Sequence, residues 1–180
     1  MPDHMDDLEF AVEHDVPIPY IKRISSYYQT LGYGKPYRWA QYRDVPFTAL
    51  KKPLSESRVS LITTAAPYQP DKGDQGPGAP YNAAAKFYRV YTDSIEGEPD
   101  VRISHIGIDR KHTTATDINT WFPLKQLKRL AAEGRIGELA PEFIGAPTNR
   151  SQKVTIEQDA AEILAHVRAA RSDVAVLVAN

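Results

Sequence analysis

Apolar positions along this chain change their period several times, and the changes mark its elements. After Pro17 and Pro19, Ile21, Ile24, Tyr28 and Leu31 recur at helical spacing, and Gly32 is a residue type that ends helices. A helix is expected there. Residues 58–64, RVSLITT, form a short β-branched run closed by Ala65, Ala66 and Pro67 and read as a buried strand. The Gly- and Pro-rich DKGDQGPGAPYN that follows reads as a flexible loop at that strand's carboxyl end. Residues 86–92, KFYRVYT, alternate and predict a second strand; Val101 and Ile103 against Arg102 and Ser104 predict a third. Pro123 then opens a helix whose Leu124, Leu127, Leu130 and Ala131 share one apolar face and which Gly134 closes. Thr155 with Gln158 makes a capping-box pattern ahead of an expected buried stripe of Ile156, Ala160, Ile163, Leu164 and Val167. Residues 174–179, VAVLVA, form a near-continuous apolar run of the kind found inside parallel sheets.

Strand, helix, strand order implies parallel strands joined by right-handed crossovers. The expected fold is therefore α/β, a mainly parallel sheet with flanking helices and an extended N-terminal arm. Two regions are expected: 1–44, a helix followed by an aromatic, aperiodic arm that packs across a neighbour, and 45–180, the α/β domain. A parallel strand with no helix after it leaves a sheet face uncovered, so the last strand is expected to be central and the domain incomplete at its C-terminus.

At 180 residues the chain suits one domain able to bury roughly two thirds of its unfolded surface. Its 22 Lys and Arg nearly balance 23 Asp and Glu, for a net charge of -1, which provides no field for nucleic acid or an anionic membrane. Its apolar runs fall far short of the roughly 20 residues that span a bilayer, and the acidic start MPDHMDDLEF lacks a signal-peptide pattern. A cytoplasmic protein is expected. With no cysteine, the chain itself has no disulfide, thiolate nucleophile or Cys-ligated metal centre.

The densest chemistry lies in residues 101–139, where a predicted strand delivers His105, Asp109, His112, Asp117 and Asn119 into a loop. Loops at strand ends are where α/β proteins keep their chemistry. His105 and His112 can orient a carboxylate or shuttle protons near neutral pH, or bond structurally to backbone carbonyls. Asp117 and Asn119 also suit turn capping. His105, Asp109 and His112 place N and O ligands at three- and four-residue spacing, as zinc or iron sites do, but Gly107 and the strand-plus-loop pattern argue against the helix such spacing needs.

PLSESRVSLITTA at 53–65, HIGID at 105–109 and DINTWFPLKQLKRLAAEGRIGELAP at 117–141 occur in one order. Together they resemble the glycine/sarcosine/betaine reductase selenoprotein B and D-proline reductase family over residues 45–180. The resemblance implies reductive cleavage of a C–N bond. In such a reaction a selenolate or thiolate attacks the carbon bearing the amine, and thiols later supply the electrons. It further implies that the attacking Cys or Sec follows an apolar strand similar to 174–179, so that here it comes from beyond Asn180, on a C-terminal segment or a second chain. The isolated chain is then expected to be inactive, with no cofactor or metal of its own, as part of an oligomer acting on a small amine- and carboxylate-bearing substrate. On that reading His105, Asp109 and His112 are the catalytic candidates, and Asp109 and Asp117 could hold the substrate ammonium.

Before the last helix, GAPTNRS offers Asn149 and Arg150 near a helix amino end, where anions are favoured; Arg150 suits bidentate carboxylate recognition. Thr63 and Thr64, at a strand's carboxyl edge, can line a pocket or cap the turn. Tyr33, Tyr37, Trp39, Tyr42 and Phe47 could cage a quaternary ammonium, although packing is the commoner use of such rings. Two other classes stay open: a non-catalytic small-molecule-binding or assembly subunit, and a metal-dependent enzyme built on His105, Asp109 and His112.

Overall fold

The computed structural model describes residues 16–35, 41–76, 79–103, 112, 116–149 and 151–179. His105, Asp109, Arg150, Tyr37 and Trp39 lie outside the described residues. The backbone divides into two compact units, Met1–Val45 and Pro46–Asn180.

In the first unit, helix α1 (Tyr20–Thr30) starts after Pro19 and stops where its periodicity stops. Gly32 takes a left-handed φ of 80°, and Tyr33 N–H returns to the Tyr28 carbonyl at 3.1 Å, closing the last turn. No α1 residue is buried, and Tyr28 meets Tyr33 edge-on at 5.5 Å. Residues 41–45 have no helix or strand and are exposed.

The second unit is α/β with a mostly parallel sheet. Its central strand β1 (Arg58–Thr63) is the β-branched run, and five of its six residues are buried. Parallel to β1 on one side run β5 (Glu138–Leu139) beside its start and β6 (Glu142–Gly145) beside its end. On the other side runs β7 (Val174–Val178), in register from Val59↔Val174 to Thr63↔Val178. Antiparallel β3 (Tyr91–Ser94) pairs with the outer side of β6. A separate two-stranded sheet joins β2 (Ala66–Pro67) to β4 (Val101–Arg102).

Helix α2 (Leu124–Ala132) covers one sheet face. Its Leu124 and Leu127 pack with Trp121, Phe122 and Phe143 against Val59 and Leu61, the alternate residues of β1. Gly134, at φ 69°, closes the helix as its pattern predicts. On the opposite face, α3 runs over 152–169, passing from Gln152–Val154 through a π-helical turn, Thr155–Asp159, into Ala160–Ala169.

Several expectations are corrected. The cap of α3 is Ser151, whose Oγ accepts from Val154 N–H at 3.3 Å; Thr155, expected to cap, lies inside the helix. Of the expected buried stripe, Ile163 and Val167 are half-buried, while Ile156, Ala160 and Leu164 are exposed, because α3 lies against only part of the sheet. The second predicted strand is shifted: pairing with β6 fixes it at Tyr91–Ser94, and 86–90 form a loop. The third belongs to the small β2–β4 sheet. The last strand is not central among the described strands, since β7 pairs with β1 alone. Val174, Val176 and Val178 turn toward the core, while Leu177 is 63% exposed, so the unbroken apolar run is buried on one face only.

Candidate functional site at the carboxyl edge of the sheet

Strands β1 and β6 end side by side, Thr63 in register with Gly145, and β7 ends beside them at Val178. A small, half-open cleft sits beyond that edge. This is the end of a parallel sheet at which α/β proteins hold ligands. Thr64, Ala65 and Ala66 form one wall as β1 passes into β2, and Ala146 and Thr148 form another after β6. Thr64, a residue the sequence placed here, also donates its backbone N–H to the Val178 carbonyl at 3.2 Å, so the end of β7 is fastened to the cleft wall. Thr63 is wholly buried and structural: its Oγ donates to the Trp121 carbonyl and accepts from Ala65 N–H, both at 3.1 Å.

The floor is Tyr91. Its ring crosses the backbone of β6 at Gly145, where a Cβ would lie 1.7 to 2.3 Å from three ring carbons. Only glycine allows this approach. The phenol reaches past the strand to donate to the Ala65 carbonyl at 2.7 Å, and Phe87 and Phe143 meet the ring edge-on at 5.5 and 6.0 Å. Burial pushes the Tyr91 pKa well above its ordinary value, and the nearby Asp93 carboxylate raises it further, so the hydroxyl stays a neutral donor.

Two cations border this otherwise neutral cleft. Lys86 Nζ lies 5.2 Å from the Tyr81 ring centre, and no carboxylate pairs with it among the described residues. Arg102 is held more firmly: its Nε and Nη2 bind the two oxygens of Asp100, and its guanidinium stacks on Tyr68 at 4.9 Å. The Asp100 bond raises the Arg102 pKa, keeping the side chain charged.

The other described residues expected at the site, His112, Asp117, Asn119 and Asn149, do not line this cleft. Asp117 turns its Oδ1 back onto Asn119, accepting from the backbone N–H and Nδ2 at 3.0 Å, and starts a 3-10 turn, Ile118–Thr120. Asn149 donates from Nδ2 to the buried Asp159 carboxylate at 2.8 Å, fastening the loop after β6 to α3. His112 is exposed. Tyr33, Tyr42 and Phe47 are exposed. No group of three or more His, Cys, Asp or Glu able to hold a metal occurs among the described residues. The sequence reading missed Lys86, Tyr91 and Arg102. Gly145 was the available signal, a glycine directly after the apolar Phe143 and Ile144, since glycine in a strand often marks close backbone approach.

Over 136 residues the chain is 31% identical to D-proline reductase subunit gamma of Acetoanaerobium sticklandii. It is a distant relative of that subunit. The match covers 74% of this chain and 53% of the relative, so the chain spans about half the length of the curated relative it matches. No family model matches, and no solved structure does. The relationship to D-proline reductase subunit gamma thus rests on sequence, and it agrees with the resemblance drawn from the three blocks. No described helix is long and apolar enough to cross a membrane.

Proposed function

We propose that this chain is the substrate-holding part of a thiol- or selenol-dependent reductase, one that cleaves the C–N bond of a small amine-bearing carboxylic acid. Polypeptide outside these 180 residues supplies the reactive sulfur or selenium. The observation that carries the proposal is the cleft where β1 and β6 end, edged by Lys86 and Arg102 and tied through Thr64 to the end of β7. The distant relationship to a reductase subunit supports the reaction class. The absence of cysteine requires the nucleophile to come from elsewhere.

Lys86 and Arg102 hold the substrate carboxylate, and the Tyr91 ring sets the floor beneath it. A thiolate or selenolate then attacks the carbon bearing nitrogen. The C–N electron pair leaves with the nitrogen, which takes up a proton. A second thiolate attacks the bound sulfur or selenium and the carbon departs with that electron pair and is protonated; the attacking atoms end joined as a disulfide, or as a selenenyl sulfide that a further thiol opens to a disulfide and free selenolate.

The test has two parts. Calorimetric titration with proline, glycine and glycine betaine, each against its amide, reads the anion site. The acids are expected to bind at least tenfold more tightly than the amides, and Lys86→Ala or Arg102→Ala to erase most of that difference; equal affinity for acid and amide overturns the site. The native complex is then assayed for dithiol-dependent amine release. Release that stops when a Cys or Sec residue is alkylated supports the reductase. A complex that holds neither residue overturns it. The lack of cysteine also fits a second reading, a non-catalytic carboxylate-binding subunit, which binds the same acids but releases no amine from any assembly.

A further inference from the structure

We infer that Tyr91 is a positioning residue for Arg102, acting through the backbone that joins the large sheet to the small one; this rests on the reading of the cleft as a carboxylate site. The two sheets are linked in sequence at Thr64 and Ala65, between β1 and β2. Ala65 is 2% exposed, and both of its backbone polar groups are committed: its N–H to Thr63 Oγ, its carbonyl to the Tyr91 hydroxyl at 2.7 Å. That carbonyl shares one peptide plane with the N–H of Ala66. Fixing one fixes the other.

Ala66 is the residue in register with Arg102 across the β2–β4 pair. Two residues on, Tyr68 N–H donates to the Asp100 carbonyl at 3.0 Å, and the Tyr68 ring lies under the Arg102 guanidinium. Asp100 in turn grips Arg102 from the side. Both groups that orient Arg102 therefore flank the two short strands, Tyr68 directly after β2 and Asp100 directly before β4, and β2 follows directly on the Ala65 carbonyl. A two-residue strand pair has little stability of its own. Val101 and Ile103 anchor β4 in the core, and the backbone entering β2 is fixed at the Ala65 carbonyl by a phenol that crosses β6 over Gly145, where the ring fits.

This explains why the floor of the cleft is tyrosine rather than phenylalanine. Phenylalanine would fill the same space against Phe87 and Phe143, and packing alone needs no hydroxyl. The hydroxyl's partner is the backbone carbonyl directly before β2, the strand that pairs with the anion reader's own.

The experiment uses the full chain and the variants Tyr91→Phe, Arg102→Ala and both together. The probes are proline and, as the uncharged control, proline amide. In the presence of Arg102, Tyr91→Phe is expected to weaken proline binding about three- to tenfold, the range of one net hydrogen bond. With Arg102→Ala already present it should weaken it by less than about twofold, because coupled residues fail to add. Amide binding should not change. An equal loss in both backgrounds, or no loss in either, overturns the positioning role. A ligand-free readout separates this claim from the site reading: the Arg102 Nε–H NMR resonance, identified by its absence in Arg102→Ala. If the wild type binds no carboxylate, the site reading fails; the positioning role still requires that resonance to shift or broaden in Tyr91→Phe. A resonance that stays in place overturns it even where Tyr91→Phe lowers the melting temperature.

Discussion

Replacing Gly145 by Ala adds one methyl group and is expected to destabilise the second unit by about 2–4 kcal/mol. A new Cβ would stand 1.7, 2.1 and 2.3 Å from Tyr91 Cε1, Cζ and Cδ1. Carbon atoms settle at about 3.5–4.0 Å, so the ring must retreat by roughly 2 Å or β6 must part from β3. Ring retreat breaks the 2.7 Å bond to the Ala65 carbonyl and disturbs the edge contacts to Phe87 and Phe143. The bond contributes about 1 kcal/mol, each aromatic contact about 0.5–1.5 kcal/mol, and overpacking itself costs about 1–3 kcal/mol. These terms overlap, since one movement of the ring relieves the clash and loses the contacts together. Without a clash, Gly→Ala would instead gain about 0.4–1 kcal/mol from a less flexible unfolded chain. The sign therefore decides the matter. Urea unfolding followed by fluorescence of the buried Trp121 measures the change. Repeating the substitution in a Tyr91→Ala background isolates the cause: with the ring gone, Gly145→Ala should cost less than about 0.5 kcal/mol. The same loss in both backgrounds would refute the reasoning and place the strain in the backbone.

Other expectations follow from single contacts. Phe143 is 0% exposed and packs on Phe122 at 4.8 Å; Phe143→Ala should cost about 3–5 kcal/mol in urea unfolding, and a loss below about 1 kcal/mol would contradict its central place. Ser151→Ala should cost about 1 kcal/mol as a lost helix cap, and Thr155→Ala close to none; the reverse order would restore the capping box to Thr155. Asp173 accepts the Arg58 backbone N–H and the Lys52 ammonium, both at 2.8 Å, and the Lys52 bond, with the Arg58 bond second, holds its pKa below the usual carboxylate value. Because the folded value is the lower one, this stabilisation is fully present above the unfolded pKa of about 4 and fades as pH falls through the folded value. Asp173→Asn should therefore flatten the acid limb of a stability-against-pH curve; an unchanged slope below about pH 4 would show that the carboxylate titrates alike in both states.

What the sequence determined by itself was local. The face of α2 follows from Leu124, Leu127 and Leu130 recurring at a helical period, and its end from Gly134, because both depend on residues within one or two turns. The β-branched run of β1 and the apolar run of β7 marked strands for the same reason, and their order foretold a mostly parallel sheet. Tertiary structure decided everything that depended on which strand lies beside which. Register against β6 moved β3 from 86–92 to Tyr91–Ser94, and a partner on one side only left β7 half-covered. The cleft is the extreme case. Tyr91 meets Gly145 and Ala65, and Lys86 and Arg102 come to line one cleft, only after the chain has folded. No periodicity records such a meeting, since a side chain's local pattern specifies the face it occupies and not the distant backbone it will touch.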